Sequence, residues 1–444
     1  MRFLEYAVRS TTQRSILSLA PATQCRFIAR RTGTLSALSP PSARSSTRLP
    51  SIGQRWASPL AAAGAMTTDS TFRYKSFDWE VSNGQVQSID YILAQQPAGG
   101  ETAQRDALSA LEEKLPRPTS GCSVLLIPSV SVACGGKEEM RPLASGLAQR
   151  GHRCYILEWP GWSVDTHANF ALVQCKPEEL SAEYEDFWCQ MVEHIAKEES
   201  SEEACKEGDA KPQLCVVAAG HGATYALRAV RRLLAYANEG AGSADTAHLR
   251  TLTGLALLAP SWRTQRGQLW SYLTPAQASR RLGSWLHADT RLSKYALALH
   301  LSERSLRRKL LAARGGVPPS EILKATASWL FRRDRPYVQT DGATLFGLLD
   351  PPNSSAETLA AELLEVAPQL SSGAMLLRPE TPGGSSGGPS GTPEQLAELL
   401  AANPLAKTPA LNLGVLPSKS KLPHEDAPSA TLAALDAWLA KSPS

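Results

Sequence analysis

Four strand-like runs of mainly apolar residues, each bounded by polar or helical segments, set the pattern of the central part of the chain. They cover residues 122–127, 152–157, 214–218 and 252–259. Short runs of this kind are typical of strands that are buried on both faces of a parallel sheet. Amphipathic helical patterns at 141–150 and 182–195 lie between them. The alternation predicts an α/β fold with a doubly wound, mostly parallel sheet.

Weaker patterns extend this plan in both directions. Residues 77–81 and 85–92 alternate apolar and polar positions around Asn83-Gly84, which predicts a β-hairpin. Further elements are predicted along the chain: a polar helix at 101–115, an acidic loop at 197–211, strands at 374–377 and 410–416, and helices at 393–402 and 430–440. The glycine- and serine-rich segment 381–393 predicts a flexible loop, because its composition does not support a core.

Composition excludes several classes of protein. The chain has 444 residues, of which 43% are hydrophobic and 20% are charged, as in an ordinary globular protein. Its apolar runs are far shorter than a membrane-spanning helix, so we expect no transmembrane segment. The eight cysteines form no Cys-x-x-Cys pair and no Cys/His cluster. We therefore expect neither a disulfide framework nor a metal site, and no sequence motif predicts a cofactor.

Residues 1–65 differ from the rest of the chain in charge. They hold nine arginines, no lysine and a single acidic residue, Glu5, so the remainder of the chain is mildly acidic although the whole carries +4. An Arg-rich, Ser-rich segment that is poor in acids is typical of a chloroplast or mitochondrial transit peptide. We expect this segment to be disordered and removed on import. The alternative is a basic tail without a targeting role.

A glycine turn between a strand and a helix is the most informative motif. Residues 214–230 have the sequence LCVVAAGHGATYALRAV, in which an apolar strand leads through Gly220-His221-Gly222-Ala223-Thr224 into an amphipathic helix. In a nucleophile elbow, Gly-x-Ser-x-Gly forms the same connection, and the turn exposes a serine hydroxyl above the sheet. In this alignment Gly222 stands at the serine position. The motif predicts an elbow without a nucleophile.

These features together resemble α/β-hydrolase-fold proteins over residues 77–440. The resemblance rests on LLIP followed by PLASGLAQRGHRCYILEWPGWS, on the GHGAT elbow, and on LPHEDAP at 422–428. GHGAT, LLAPSW and LFGLLDP also resemble plant and algal organellar members of that superfamily, which favours the chloroplast over the mitochondrion. The resemblance implies a core at 70–262 and 341–444, with a helical cap inserted at 263–340.

Several residues that the family uses for catalysis differ in this chain. Gly222 occupies the nucleophile position, and Lys421 occupies the position of the catalytic histidine. Glu380, after the predicted strand 374–377, is the positional candidate for the triad acid. Pro128 follows the first buried strand and has no N–H to donate to an oxyanion. Because losing the nucleophile alone costs on the order of 10⁶ in turnover, we expect serine hydrolysis to be lost.

Other polar residues near the predicted pocket are candidates to replace the lost catalytic groups. We expect Thr224 to bond to the backbone and His221 to pack beneath the elbow. Asp350 either orients a partner residue or, as we favour, ends a helix or strand before the prolines. Cys134 and Ser129 lie in a loop over the predicted pocket. The remaining candidates are Gly220 and Ala223, whose N–H groups belong to the helix start, and His424, which matches a second histidine downstream of the catalytic one.

Two classes of function remain open from the sequence. In the first, the chain is a hydrolase-fold protein that has lost catalysis and binds a small apolar or acyl-type ligand or a partner. In the second, it is an enzyme with a displaced nucleophile, or with a chemistry that needs none. The arginines and tryptophans of the predicted cap also suggest peripheral membrane contact. Interleaved acids at Asp289, Glu303 and Asp334 make this third interpretation weaker, and we expect no nucleic-acid partner.

Overall fold

The computed structural model describes the central domain and leaves several segments out. The described residues are 71–82, 84–95, 121–129, 137–157, 159–160, 180–201, 213–240, 244–263, 354–380, 390–404, 409–418, 420 and 422–441, with 304, 307, 308 and 311. They all belong to one unit, Ala65–Ser444. The predicted transit peptide 1–65 and connector 101–115 lie outside the described residues. So do loop residues 381–389 and nearly all of the predicted cap 263–340.

An eight-stranded sheet forms the centre of this unit, in the order β1-β2-β4-β3-β5-β6-β8-β10. Its strands are β1 (Thr71–Glu80), β2 (Val86–Gln95), β3 (Ser123–Ile127), β4 (Arg153–Leu157), β5 (Leu214–Ala219), β6 (Leu252–Leu258), β8 (Gly373–Pro379) and β10 (Leu411–Leu416). The six strands from β4 to β10 run parallel, and β2 pairs antiparallel with β4 and with β1. A separate antiparallel pair joins β7 (Trp262–Arg263) to β9 (Ser390–Gly391). The predicted mostly parallel sheet is confirmed.

Helices cover both faces of the sheet, as a doubly wound fold requires. In chain order they are α1 (Lys137–Gln149), α2 (Leu180–Ser201), α3 (Gly220–Glu239), α4 (Ala356–Val366), α5 (Pro393–Ala402), α6 (Pro423–Asp426) and α7 (Pro428–Leu439), with 3₁₀ turns at Ala244–Thr251 and Ala367–Gln369. Helices α2 to α5 pack with one face of the sheet into the larger apolar core. Helices α1 and α7 close the smaller core on the other face. No helix among the described residues is both long and apolar enough to cross a membrane.

Most element boundaries agree with the sequence pattern, but β1 begins at Thr71 and not at residue 77, helix α4 was not predicted, and α2 continues beyond its predicted end. We expected this helix to end near residue 195 and an acidic loop to follow, but it continues to Ser201. Two acids of its last turn bind the sheet: Glu198 accepts a hydrogen bond of 2.7 Å from the Tyr91 hydroxyl, and Glu199 accepts one from the Tyr155 hydroxyl. These carboxylates hold the helix end against β2 and β4, an attachment that local composition does not reveal.

A buried histidine joins the edge of the smaller core to α7. His152 Nδ1 accepts a hydrogen bond of 3.3 Å from the Cys122 N–H, and His152 Nε2 lies 3.7 Å from Asp436 Oδ1. Arg150 Nε lies 3.6 Å from the other carboxylate oxygen of Asp436. Desolvation lowers the pKa of His152, and the attraction of Asp436 opposes that shift only in part.

This depressed pKa predicts a loss of stability in acid. Between about pH 7 and pH 5 the unfolded histidine gains a proton that the folded one resists, so the free energy of unfolding falls by up to about 1.4 kcal/mol per pH unit. His152→Gln should be less stable than the wild type near neutrality but should lose less stability on acidification. Urea unfolding at both pH values measures this. Equal losses in the two proteins would contradict the assignment.

Candidate functional site

The turn after β5 has the geometry of a sharp strand-to-helix elbow. Strand β5 ends at Ala219, and helix α3 begins at the next residue, Gly220. Gly220 has φ +54°, in the left-handed region that side chains disfavour. Ala219, the residue before the helix, makes no side-chain cap to the first turn of α3. The predicted elbow is therefore present, and its strained position is Gly220.

Gly222 has a different role from the one the motif assigned to it. It does not share the positive φ of Gly220, so its backbone does not need the conformational freedom of glycine. A Cβ atom at Gly222 would lie 2.6 Å from the Pro128 carbonyl oxygen and 3.0 Å from Ile127 Cγ2. Gly222 is thus the point of close contact between α3 and the end of β3. That contact leaves no space for a serine side chain.

These two glycines shift the register of the degenerate motif by two residues. With Gly220 at the strained position, Ala218-Ala219-Gly220-His221-Gly222 aligns with Gly-x-Ser-x-Gly, and Gly222 becomes its last glycine. The sequence favoured Gly222 as the residue at the serine position because GHGAT has glycine at the first position of Gly-x-Ser-x-Gly and histidine at the second. Both registers place a glycine where the nucleophile would stand.

Hydroxyl groups from two neighbouring turns surround the elbow. A Cβ atom at Gly220 would lie 2.8 Å from Ser129 Cβ and 3.8 Å from Ser261 Oγ. The Ser261 N–H donates to the Gly220 carbonyl at 3.0 Å, and the Thr224 hydroxyl donates to the Ser261 carbonyl at 3.1 Å. Thr224 therefore bonds to the backbone, as predicted, and its acceptor lies in the turn after β6. The elbow and this turn form one hydrogen-bonded unit.

A buried acidic side chain that the sequence analysis did not select lies beside the elbow. Glu139 Oε1 is 2.7 Å from His424 Nε2, and Glu139 Oε2 accepts a hydrogen bond of 2.9 Å from the Ser129 hydroxyl. The Ser129 N–H also donates to Glu139 Oε1, at 3.1 Å. All three side chains are buried. Nothing in the local sequence distinguishes Glu139 from Glu138, since its partner His424 is 285 residues away.

The order of these contacts differs from that of a catalytic triad. A triad places the imidazole between the hydroxyl and the acid, so that the imidazole removes the hydroxyl proton. Here the carboxylate of Glu139 lies between Ser129 and His424. His424 Nδ1 is buried and has no hydrogen-bond partner among the described residues. The Ser129 hydroxyl therefore donates to the acid and not to the imidazole.

The structure places the other predicted residues apart from this cluster. Glu380 is exposed, its N–H bonds to the carbonyls of Leu416 and Ser418, and its carboxylate contacts no other described residue. His221 is half-buried on α3, and Ala223 is part of the larger core. The remaining candidates, Cys134, Asp350 and Lys421, lie outside the described residues. The proposed triad acid thus has no partner to orient in the described site.

No protein-family model matches the sequence, and no curated protein matches it. Solved structures with a similar fold include the bromoperoxidase from Bacillus anthracis, with a TM-score of 0.47 and 10% identity over 82% of this chain and 99% of that one. The esterase from Exiguobacterium antarcticum has a TM-score of 0.46 and 10% identity over 82% and 99% of the two chains. Potato (Solanum tuberosum) epoxide hydrolase I has a TM-score of 0.44 and 14% identity over 83% and 100%. Similarities at this level give no information on what this chain binds or catalyses.

The close contact at Gly222 predicts an unusual response to alanine. Replacing a helical glycine by alanine ordinarily stabilises a protein by up to about 1 kcal/mol. Gly222→Ala should instead destabilise this one by about 1–3 kcal/mol, because the new methyl group overlaps the Pro128 carbonyl oxygen 2.6 Å away. Urea unfolding measures the sign directly. A stabilised Gly222→Ala variant would show that α3 and β3 are not in close contact.

Proposed function

We propose that this α/β-hydrolase-fold chain has lost serine hydrolysis and binds a small apolar or acyl-type ligand at its elbow. The observation that carries the proposal is Gly220, at the strained position of the elbow with no side chain to attack a carbonyl carbon. The elbow lies at the carboxyl ends of the parallel strands, where open α/β sheets bind ligands. The nearby Ser261 hydroxyl offers a hydrogen bond to such a ligand.

The residual groups do not make up for the missing nucleophile. Removing the nucleophile of a serine hydrolase costs on the order of 10⁶ in turnover, even when its base and oxyanion hole remain. In this site the Ser129 N–H, which lies next to the elbow, donates to Glu139 and is not free to stabilise an oxyanion. Lys421, proposed to stand at the base position, has no ability to accept a proton in its charged form.

An enzyme with a displaced nucleophile is the second candidate, favoured by one contact. The Ser129 hydroxyl donates to the Glu139 carboxylate at 2.9 Å, which is the geometry of a serine with a general base. Burial weighs against it, since only 3% of the Ser129 surface is exposed. The second oxygen of the carboxylate already bonds to His424. We therefore rank binding without turnover first.

Ester hydrolysis separates these two candidates. The stringently purified protein should hydrolyse p-nitrophenyl acetate, butyrate and octanoate at the rate of buffer alone, because no described group combines access with activation. The Gly220→Ser and Gly222→Ser variants should remain equally inactive, because the introduced serine would have no general base to remove its hydroxyl proton. Turnover well above the buffer rate that Ser129→Ala abolishes, while Ser200→Ala on exposed α2 preserves it, would establish the displaced nucleophile instead.

We also propose a subcellular localisation and a domain organisation from the sequence. Residues 1–65 would direct the chain to an organelle, with the chloroplast favoured over the mitochondrion, and residues 263–340 would form the cap over the site. The arginine-rich, acid-poor composition supports the first proposal. Three helix-like sequence patterns with interspersed tryptophans, at residues 268–286, 292–312 and 319–331, support the second.

N-terminal sequencing of the protein from its native source tests the proposed localisation. The mature chain should begin near residue 65, because import removes a transit peptide. Fusion of residues 1–65 to a fluorescent protein should direct that protein into the organelle, and replacing the nine arginines of the segment by glutamine should leave it in the cytosol. A mature form that retains Met1 would contradict the proposal.

A further inference from the structure

Among the described residues, the Ser261 hydroxyl oxygen is the polar side-chain atom nearest to the position that a Cβ atom would take at Gly220. The distance is 3.8 Å, and Ser261 is only partly buried. The hydroxyl makes no hydrogen bond to another described residue. By contrast, the hydroxyl of Ser129 is fully committed to Glu139. The Ser261 hydroxyl can therefore donate a hydrogen bond to a ligand beside the elbow.

Three hydrogen bonds fix the backbone that carries Ser261. Its N–H bonds to Gly220 and its carbonyl accepts from Thr224, so the residue is attached to α3 at both ends. Two residues earlier, Ala259 has φ +45° and donates its N–H to the Leu377 carbonyl at 2.8 Å. A hydroxyl held on such a backbone loses little conformational entropy when it binds a ligand. Ser261 is thus positioned in advance of binding.

An acidic side chain lies on the other side of the elbow. Two donors of Ser129, its N–H and its hydroxyl, bond to the two carboxylate oxygens of Glu139, and His424 Nε2 lies 2.7 Å from Oε1. The Glu139 carboxylate thus places an acceptor group beside the elbow, with both donors of Ser129 already bound to it. In a hydrolase this side of the elbow offers hydrogen-bond donors to an oxyanion.

We infer that the elbow selects ligands with a neutral oxygen acceptor. The Ser261 hydroxyl binds that oxygen, and the Glu139 carboxylate repels anionic ligands of the same shape. The inference rests on the proposed function and names its ligand class: amides, ketones or esters in preference to free carboxylates. Ser261 contacts the ligand, while Glu139 acts through its charge and is a positioning residue. No bond is made or broken in this step.

Octanamide and octanoate form a matched pair of probes, with the same chain and shape but different charge near pH 7.5. Calorimetric titration of the wild type should show octanamide binding at least fivefold more tightly than octanoate. Ser261→Ala should weaken octanamide by about three- to tenfold, the effect of one hydrogen bond. Ser200→Ala, on the exposed surface of α2, is the control and should change neither affinity.

Glu139→Gln keeps the size of the side chain and removes its charge, so it should reduce the preference for octanamide over octanoate by fivefold or more. The wild-type preference supplies the same information if that variant does not fold. Binding of both probes with equal affinity, or an unchanged octanamide affinity in Ser261→Ala, would overturn this inference and leave the proposed function standing. Failure of the wild type to bind either probe would contradict both.

Discussion

The close contact between α3 and the end of β3 determines how the site is built. Gly222 lets the helix approach the Pro128 carbonyl so closely that no side chain fits between them. The same carbonyl accepts a hydrogen bond of 2.9 Å from Trp159 Nε1, which fixes it from the other side. With the first turn of α3 held in this way, the chain leaves β5 through a left-handed residue, and Gly220 satisfies that requirement at little cost. Packing thus maintains the elbow, and a glycine stands at its strained position.

The hydrogen-bonding groups of the turn after β3 determine the polarity beside the elbow. In a serine hydrolase the turn after the first central strand supplies donors, so that negative charge is stabilised as it develops. Here Ser129 occupies that turn, and both of its donors bind the Glu139 carboxylate. His424 completes the group from the C-terminal segment and so ties β3, α1 and α6 together. The donors of this turn therefore bind a carboxylate of the chain itself.

The sequence predicted the fold well because its signals are local. Buried strands such as 252–259 are continuous apolar runs, and the hairpin around Asn83-Gly84 has a characteristic turn sequence. The site was predicted only in part. The nucleophile position was assigned to Gly222, whereas the residue of the turn with a positive φ is Gly220, because backbone angles do not follow from a string of small residues. Glu139 and Ser261 were missed because their roles depend on partners that lie far away in sequence or in a different turn.

The central claim is that no residue of this site is an activated nucleophile. Intact-mass spectrometry after incubation with a fluorophosphonate tests it directly, because that reagent marks an activated serine covalently whatever substrate the protein prefers. An active serine hydrolase treated alongside should gain the mass of one phosphonyl group. This protein should keep its mass unchanged under the same conditions. Stoichiometric addition of one phosphonyl group, located by peptide mapping to Ser129, Ser261 or another residue beside the elbow, would contradict the account.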